Sequence, residues 1–338
     1  NNESSPDDLI QIPIWMEKGQ DGVFNQGDYI LFYAQGPVTW SILENDSIFS
    51  HSIHSFTDFI HYFITTSKPN PLRIPTVSEP SLPHNRISNS FDALVYFERN
   101  DTNLIKSGRQ WFGESFDVLT TREYNTGLAQ PVSDGKATIR VRTAARSATS
   151  SSYTLKANGI TLGNIPHSAV NVNDQYTNFA SLGLRTFQTP YVQGELKLEL
   201  TYNRPSPAAR GWLDYITVNA RQSLRMTTGQ FSFRDKESVG EVNLTRFSVD
   251  NVSSGVMIWD VTDLFNPINL EYNLQSSVAQ FKRETSDLRE FIAFSQNQAF
   301  TVGLVGDVVD AEVDAQAAQR PAARRPAQVE IVVGGAVA

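Results

Sequence analysis

The stretch 211–224, Gly-Trp-Leu-Asp-Tyr-Ile-Thr-Val-Asn-Ala-Arg-Gln-Ser-Leu, constrains the fold more than any other. Leu213, Tyr215, Ile216 and Val218 are bulky or β-branched, and polar residues sit between most of them, which fits a half-buried strand. A helical stripe is ruled out, because Asp214, Thr217 and Asn219 fall where a helix would place apolar residues. Runs of the same kind occur at 137–141, 195–202, 230–234, 242–249 and 256–261, separated by Gly, Asn and Pro. Short strands at this spacing predict a jelly-roll-like β-sandwich with the 211–224 strand in its middle.

The rest of the chain extends this mainly β reading. Residues 1–66 read as a small antiparallel β-unit, with strand candidates at 9–15, 29–33 and 38–43 and an aromatic run at 56–66. Pro13 marks the first of these as an edge strand. Residues 67–90 hold Pro69, Pro71, Pro75, Pro80 and Pro83, each of which removes a backbone donor, and they predict a linker. The sandwich domain with its N-terminal extension takes 91–300. Within it 91–97 fits a strand or a short helix, and 285–298 is the one candidate for a helix or mixed segment, with Leu288, Phe291 and Ile292 at helical spacing. Residues 302–338 contain no aromatic and are rich in Ala, Val, Gln and Arg, so 301–338 is expected to be an irregular, low-complexity tail.

Composition removes several function classes. The formal net charge is −8, which leaves no basic footprint for nucleic acid. The 338 residues include no cysteine, so disulfides, thiolate zinc sites and a catalytic thiol are excluded. The first residues show no charged-then-apolar signal pattern. No apolar run approaches the roughly 20 residues that span a bilayer as a helix.

The sharpest local pattern is the loop 17–28. Counted from Glu17, it puts Asp21 fifth, Gly22 sixth, Asn25 ninth and Asp28 twelfth, as a twelve-residue calcium loop would, with Asp21 and Asp28 as ligands. Gly19 in third place offers no ligand, and the flanks read as strands. The competing reading is a glycine-rich hairpin in which Asp28 bonds loop amides. No other cofactor is indicated. Five histidines, His51, His54, His61, His84 and His167, form no metal or triad motif, and on a strand His51 and His54 point to opposite faces. Asp260 and Asp263 read as turn hydrogen-bonders rather than a glycosidase pair. Trp111, Trp212 and Trp259 read as packing residues rather than sugar platforms.

Six phrases in order resemble one family. They are Phe24-Asn-Gln-Gly-Asp-Tyr-Ile-Leu-Phe-Tyr-Ala-Gln-Gly-Pro37 with Trp40, Ser55-Phe-Thr-Asp-Phe-Ile-His-Tyr-Phe-Ile-Thr65, and Ser107-Gly-Arg-Gln-Trp-Phe-Gly-Glu-Ser-Phe116. Leu213-Asp-Tyr-Ile-Thr-Val218, Trp259-Asp-Val-Thr-Asp263 and Leu288-Arg-Glu-Phe-Ile-Ala-Phe294 complete the set. Together they are similar to the N-terminal β-rich region of PorU-type enzymes, the gingipain-like C-terminal signal peptidases, or sortases, of the type IX secretion system. The similarity covers about 7–299.

That resemblance implies a place at the cell surface, associated with the outer membrane. It implies three partners: the peptidase domain of the same parent protein, a PorV-like outer-membrane β-barrel, and secreted cargo bearing a C-terminal signal domain. The family's catalytic Cys and His lie in a caspase-like domain that follows this region. With no cysteine here, no catalytic residue carries over, and the chain is expected to be the non-enzymatic accessory part of a peptidase. The alternatives are an independent carbohydrate-binding sandwich, argued from fold type alone, and a sandwich hydrolase using paired carboxylates.

Overall fold

A computed structural model of the chain describes residues 10–16, 25, 27–42, 47–55, 60–64, 70–174, 176–301 and 331–334. The described residues are strands and connections, with two single-turn 3-10 segments, Lys236–Ser238 and Gln296–Gln298, and no α-helix. None of them forms a helix long and apolar enough to cross a membrane.

The organising strand is Arg210–Ser223, and it pairs antiparallel on both sides. One neighbour is Ser90–Glu98, which settles the strand-or-helix ambiguity there in favour of a strand; the other is Lys136–Arg146, flanked in turn by Ser181–Pro190. A second antiparallel sheet, in the order Ile160–His167, Ser151–Ala157, Lys197–Asn203, Thr121–Asn125, faces it. Ile139, Val141, Ile216 and Val218 from one sheet meet Tyr153, Leu155, Leu198 and Leu200 from the other, all essentially inaccessible to water. This is a sandwich of the expected kind, with period-2 alternation placing apolar residues inside, but the runs at 230–234, 242–249 and 256–261 expected in it belong to other sheets.

Gly211 shows how tightly the two sheets meet. A Cβ at this position would overlap the Tyr153 hydroxyl, which donates to the Ala144 carbonyl at 3.1 Å. The requirement for glycine here is one of space between layers.

The chain then builds a second pair of sheets. One runs Gln230–Arg234, Glu290–Ser295, Val256–Asp260, Ile268–Leu270, Thr76–Val77; the other runs Asn273–Gln275, Val278–Glu284, Leu244–Val249, Arg86–Ser88. They are held face to face by Phe233, Phe247, Phe281 and Phe291, whose ring centroids lie 4.9–6.4 Å apart in the contacting pairs. The two sandwiches share one continuous core, and Phe91 of the first meets Phe231 of the second edge-on at 5.1 Å. The helical expectation for 285–298 is corrected here. Phe291, Ile292, Ala293 and Phe294 are all buried on a strand that has neighbours on both sides, so a continuous apolar run replaces the alternation that would have announced it.

The proline-rich stretch contributes two edge strands. Thr76–Val77 runs parallel to 269–270, and Arg86–Ser88 runs parallel to 245–247. Short edge strands tolerate flanking prolines because one side of the backbone needs no ladder partner. The N-terminal region lies across both sandwiches. Leu31, on the strand Ile30–Tyr33, packs with Trp259, Phe294 and Ile74 on the second, while the hairpin Val38–Ile42/Phe49–Ile53 lies on the first. Ile331–Gly334 forms a strand parallel to Ile30–Tyr33 within the region expected to be irregular; the remainder of that tail beyond Thr301 lies outside the described residues.

Candidate interaction surface

The outward side of the central strand is where three parts of the chain converge. Tyr215, Thr217, Asn219 and Arg221 point away from the sandwich core, yet Thr217 and Asn219 are buried, because the hairpin covers them. The Asn219 side chain accepts from the Phe49 amide at 2.7 Å and donates to the Phe49 carbonyl at 2.9 Å, standing in for a strand neighbour. His51 fills the adjacent position. Its Nε2 lies 2.7 Å from Glu98 Oε2, its Nδ1 lies 3.0 Å from Thr217 Oγ1, and its ring stacks on Tyr96 with centroids 4.6 Å apart. Trp40 and Tyr215 close the cluster at 5.5 Å each.

Beside the hairpin the two sandwiches are locked by charge. Arg221 reaches Asp235 at 2.8 Å and Asp92 at 3.3 Å, and both carboxylates are almost wholly buried. Asp92 also accepts the Lys236 amide at 2.7 Å, and Asp235 accepts the Ser88 hydroxyl at 2.6 Å. Burial pushes the Asp92 carboxyl up, against the opposing pull of the Lys236 amide and Arg221. Lys236 Nζ donates to the Ser47 carbonyl at 2.8 Å, tying the hairpin side to the same knot. A cleft of about 760 Å³ opens here, lined by Asp92, Arg221, Lys136, Asp134 and Glu237 among others. Two of its acids, Asp92 and Glu237, are not a free pair: Glu237 lies 3.6 Å from the same Arg221 that holds Asp92. A carboxylate committed to a guanidinium stabilises an arrangement.

The residues singled out from the sequence are dispersed. Asp21 lies outside the described residues. Asp28 accepts the Asn25 amide at 2.6 Å, a loop-closing bond. Among the described residues no three His, Asp or Glu side chains gather where they could hold a metal. His51 is half a hairpin lock, while His54 is exposed. His167 sits buried between the Thr143 hydroxyl and the Ser181 carbonyl, at 2.9 Å each. Asp260 is gripped by Arg283 at 3.0 Å and by the Thr262 hydroxyl, and Asp263 caps the turn at Phe265, as turn chemistry predicts. Trp212 and Trp259 are buried, and Trp111 is partly exposed.

Sequence reasoning missed the lock itself. Its signals were Asp92 and Arg221, charges inside otherwise apolar strands, since a buried charge requires a partner.

No family model matches the chain, and no curated protein matches it. Among solved structures it is similar to dimeric latent PorU from Porphyromonas gingivalis, with a TM-score of 0.69 and 18% identity over 87% of this chain and 28% of that one. Partial matches to a CBM36 carbohydrate-binding module in complex with calcium and xylotriose (TM-score 0.21, 16% identity, 28% of this chain and 70% of the module) and to CBM35 from Cellvibrio japonicus Abf62 (0.24, 15%, 39% and 97%) are too slight to carry an argument. The chain therefore has the fold of a part of PorU, and spans little more than a quarter of that protein's length.

Proposed function

We propose that this chain is the non-catalytic N-terminal portion of a type IX secretion system C-terminal signal peptidase, where it positions cargo or docks the enzyme on an outer-membrane partner. The observation that carries this reading is the likeness to PorU over 87% of the chain. The six ordered sequence phrases support it, and they are the reason for assigning the N-terminal part in particular. The chain itself supplies no thiol for a cysteine peptidase, so the chemistry belongs to a peptidase domain of the parent protein. Two sandwiches with a shared core, strapped by the N-terminal strands, form a rigid scaffold whose loops are free for recognition. The partners on this reading are that peptidase domain, a PorV-like barrel and cargo with its C-terminal signal domain, at the outer membrane and cell surface.

The test is a retention assay on the purified chain. Immobilised chain is expected to hold the PorV-like barrel or the separately expressed peptidase domain, and to leave cargo uncleaved. Failure to retain either protein overturns the docking role, and thiol-dependent cleavage of cargo by the chain alone overturns the non-catalytic one.

A further inference from the structure

At the end of the first sandwich where the central strand begins, a second cavity of about 680 Å³ is lined by Arg146, Arg204 and Arg210 together with Asp117, Phe179 and Val118. Arg146 and Arg210 face each other directly across the strand pair. Like charges in that position repel. Neither forms an ion pair among the described residues, and Arg204 forms none either.

Their polar partners are neutral. Arg146 donates to the carbonyls of Phe179 at 2.6 Å and Val172 at 2.7 Å, with its guanidinium 4.2 Å from the Phe179 ring centroid. Arg204 donates to the Ala209 carbonyl at 2.9 Å and to those of Asp117 and Pro207. Carbonyls orient a guanidinium without cancelling its charge, and each of these two guanidiniums retains unused N–H groups. The one acid in the cavity, Asp117, accepts the Val118 amide at 2.8 Å and the Ser115 hydroxyl at 3.1 Å on a single oxygen, Oδ1, and the charge of Arg210 reaches it as well. Three cations thus face one carboxylate, on a chain whose net charge is −8. A positive concavity on an acidic protein concentrates anions locally.

We propose that this cavity is a docking site for an acidic peptide segment, whose Asp or Glu carboxylates bridge Arg210 and the oriented guanidiniums of Arg146 and Arg204. The planar fork of arginine matches a carboxylate in two parallel hydrogen bonds. Apolar side chains flank the charges: Val118 is 88% exposed on the cavity wall, and Leu119 beside it is 60% exposed. That mixture suits a peptide in which acidic and apolar residues alternate. The site is made by the sandwich's own loops and does not depend on the parent protein proposed above.

The probe is a fluorescein-labelled peptide of alternating Glu and Leu, compared with its Gln counterpart by anisotropy on the full chain. The Glu peptide is expected to bind, to weaken as salt rises, and to lose about tenfold in affinity with Arg210→Glu. Arg210→Glu exchanges repulsion from Arg146 for attraction but sets a carboxylate near Asp117, so the melting temperature is expected to hold. Arg210→Gln, which introduces no new charge, is expected to give a smaller loss in the same direction. No binding of the Glu peptide, equal binding of the Gln peptide, or unchanged affinity in Arg210→Gln overturns the proposal. So does displacement of the peptide by a sulfated oligosaccharide at lower concentration, which would assign the cavity to a sugar.

Discussion

His51 of the N-terminal hairpin and Glu98 at the end of a sandwich strand meet at 2.7 Å, with the histidine side chain 2% and the glutamate 19% exposed. The two residues are 47 apart in sequence, and their contact fastens the hairpin to the sheet. Glu98→Ala would leave a buried ring nitrogen without its partner, at a cost of about 1–3 kcal/mol. Because the loss falls on the hairpin, protease cleavage within 38–53 is expected to accelerate more than global unfolding does. Equal acceleration throughout the chain would count against the hairpin being a separately fastened element.

Gly211 and Tyr153 are in steric competition, so Gly211→Ala is expected to destabilise the first sandwich by several kcal/mol, as overpacking at a strand crossing does. Tyr153→Phe removes the hydroxyl that the new methyl would meet. The double variant is therefore expected to be more stable than the sum of the two single losses. Part of the cost will remain, since a Cβ at 211 would also lie 2.8 Å from ring carbon Cζ of residue 153, which Phe keeps, and 3.2 Å from the Tyr202 ring. Strict additivity in denaturant unfolding would refute the steric account.

Much of the architecture was legible because apolar alternation is a local signal. Residues 211–224 and 137–141 announce strands by themselves, and the turn residues between them announce a sandwich. Other parts were not legible, and for several of them the physical reason is plain. The strand Glu290–Ser295 is buried on both faces, so it lacks alternation and borrows a helical spacing. The edge strands at 76–77 and 86–88 are two and three residues long, held by partners about 160–190 positions away, beyond the reach of any local pattern. The Arg221 lock joins residues 92, 221 and 235 through space; the sequence shows charges in apolar strands but not which of them meet. The arginine cavity shares this character, since Arg146 and Arg210 become neighbours only through strand register.

His167 gives a pH dependence whose sign is fixed by burial. Desolvation holds its ring below the ordinary histidine value, and the bond to the Ser181 carbonyl offsets this only in part. In the unfolded chain the ring titrates near 6.5. Below that value and above the folded one, the unfolded state carries a proton that the native state does not, so stability rises with pH across the window. The contribution is complete above about pH 6.5 and is lost as pH falls from there through the lower, folded value. Buried Asp92 and Asp214, whose carboxyls burial raises, act in the opposite sense, so the readout is the difference between proteins. The melting temperature is expected to fall less on acidification in His167→Gln than in the parent; equal slopes would exclude His167 as the source.

The loop closed by Asp28 is tested by calcium. The carboxylate of Asp28 accepts the Asn25 amide at 2.6 Å, which is how a hairpin uses such a residue. A calcium ion held by Asp21 and Asp28 would stabilise the native state by mass action, raising the melting temperature with ligand concentration. On the hairpin reading the midpoint is expected to be the same with excess calcium and with chelator. A midpoint that climbs with calcium, and no longer does so in Asp28→Asn, would establish the metal site instead.

The strongest destabilisation from one side chain is expected at Arg221. Its guanidinium stands between Asp92 and Asp235, which are 6% and 5% exposed, and it also donates to the Ser90 hydroxyl. Arg221→Met keeps the length of the aliphatic stem but leaves two buried carboxylates with no cation between them, and only Lys236 Nζ, 4.0 Å from Asp92, nearby. Breaking a buried ion network from one side costs about 3–5 kcal/mol, because the remaining charges stay desolvated. Neutralising them should return much of that loss, so Arg221→Met with Asp92→Asn and Asp235→Asn is expected to be more stable than Arg221→Met alone. Asp92 and Asp235 lie in different sandwiches, so the single variant is also expected to separate their unfolding into two transitions by calorimetry. A loss below about 1 kcal/mol in Arg221→Met would show that the network is dispensable and that the shared apolar core holds the sandwiches together unaided.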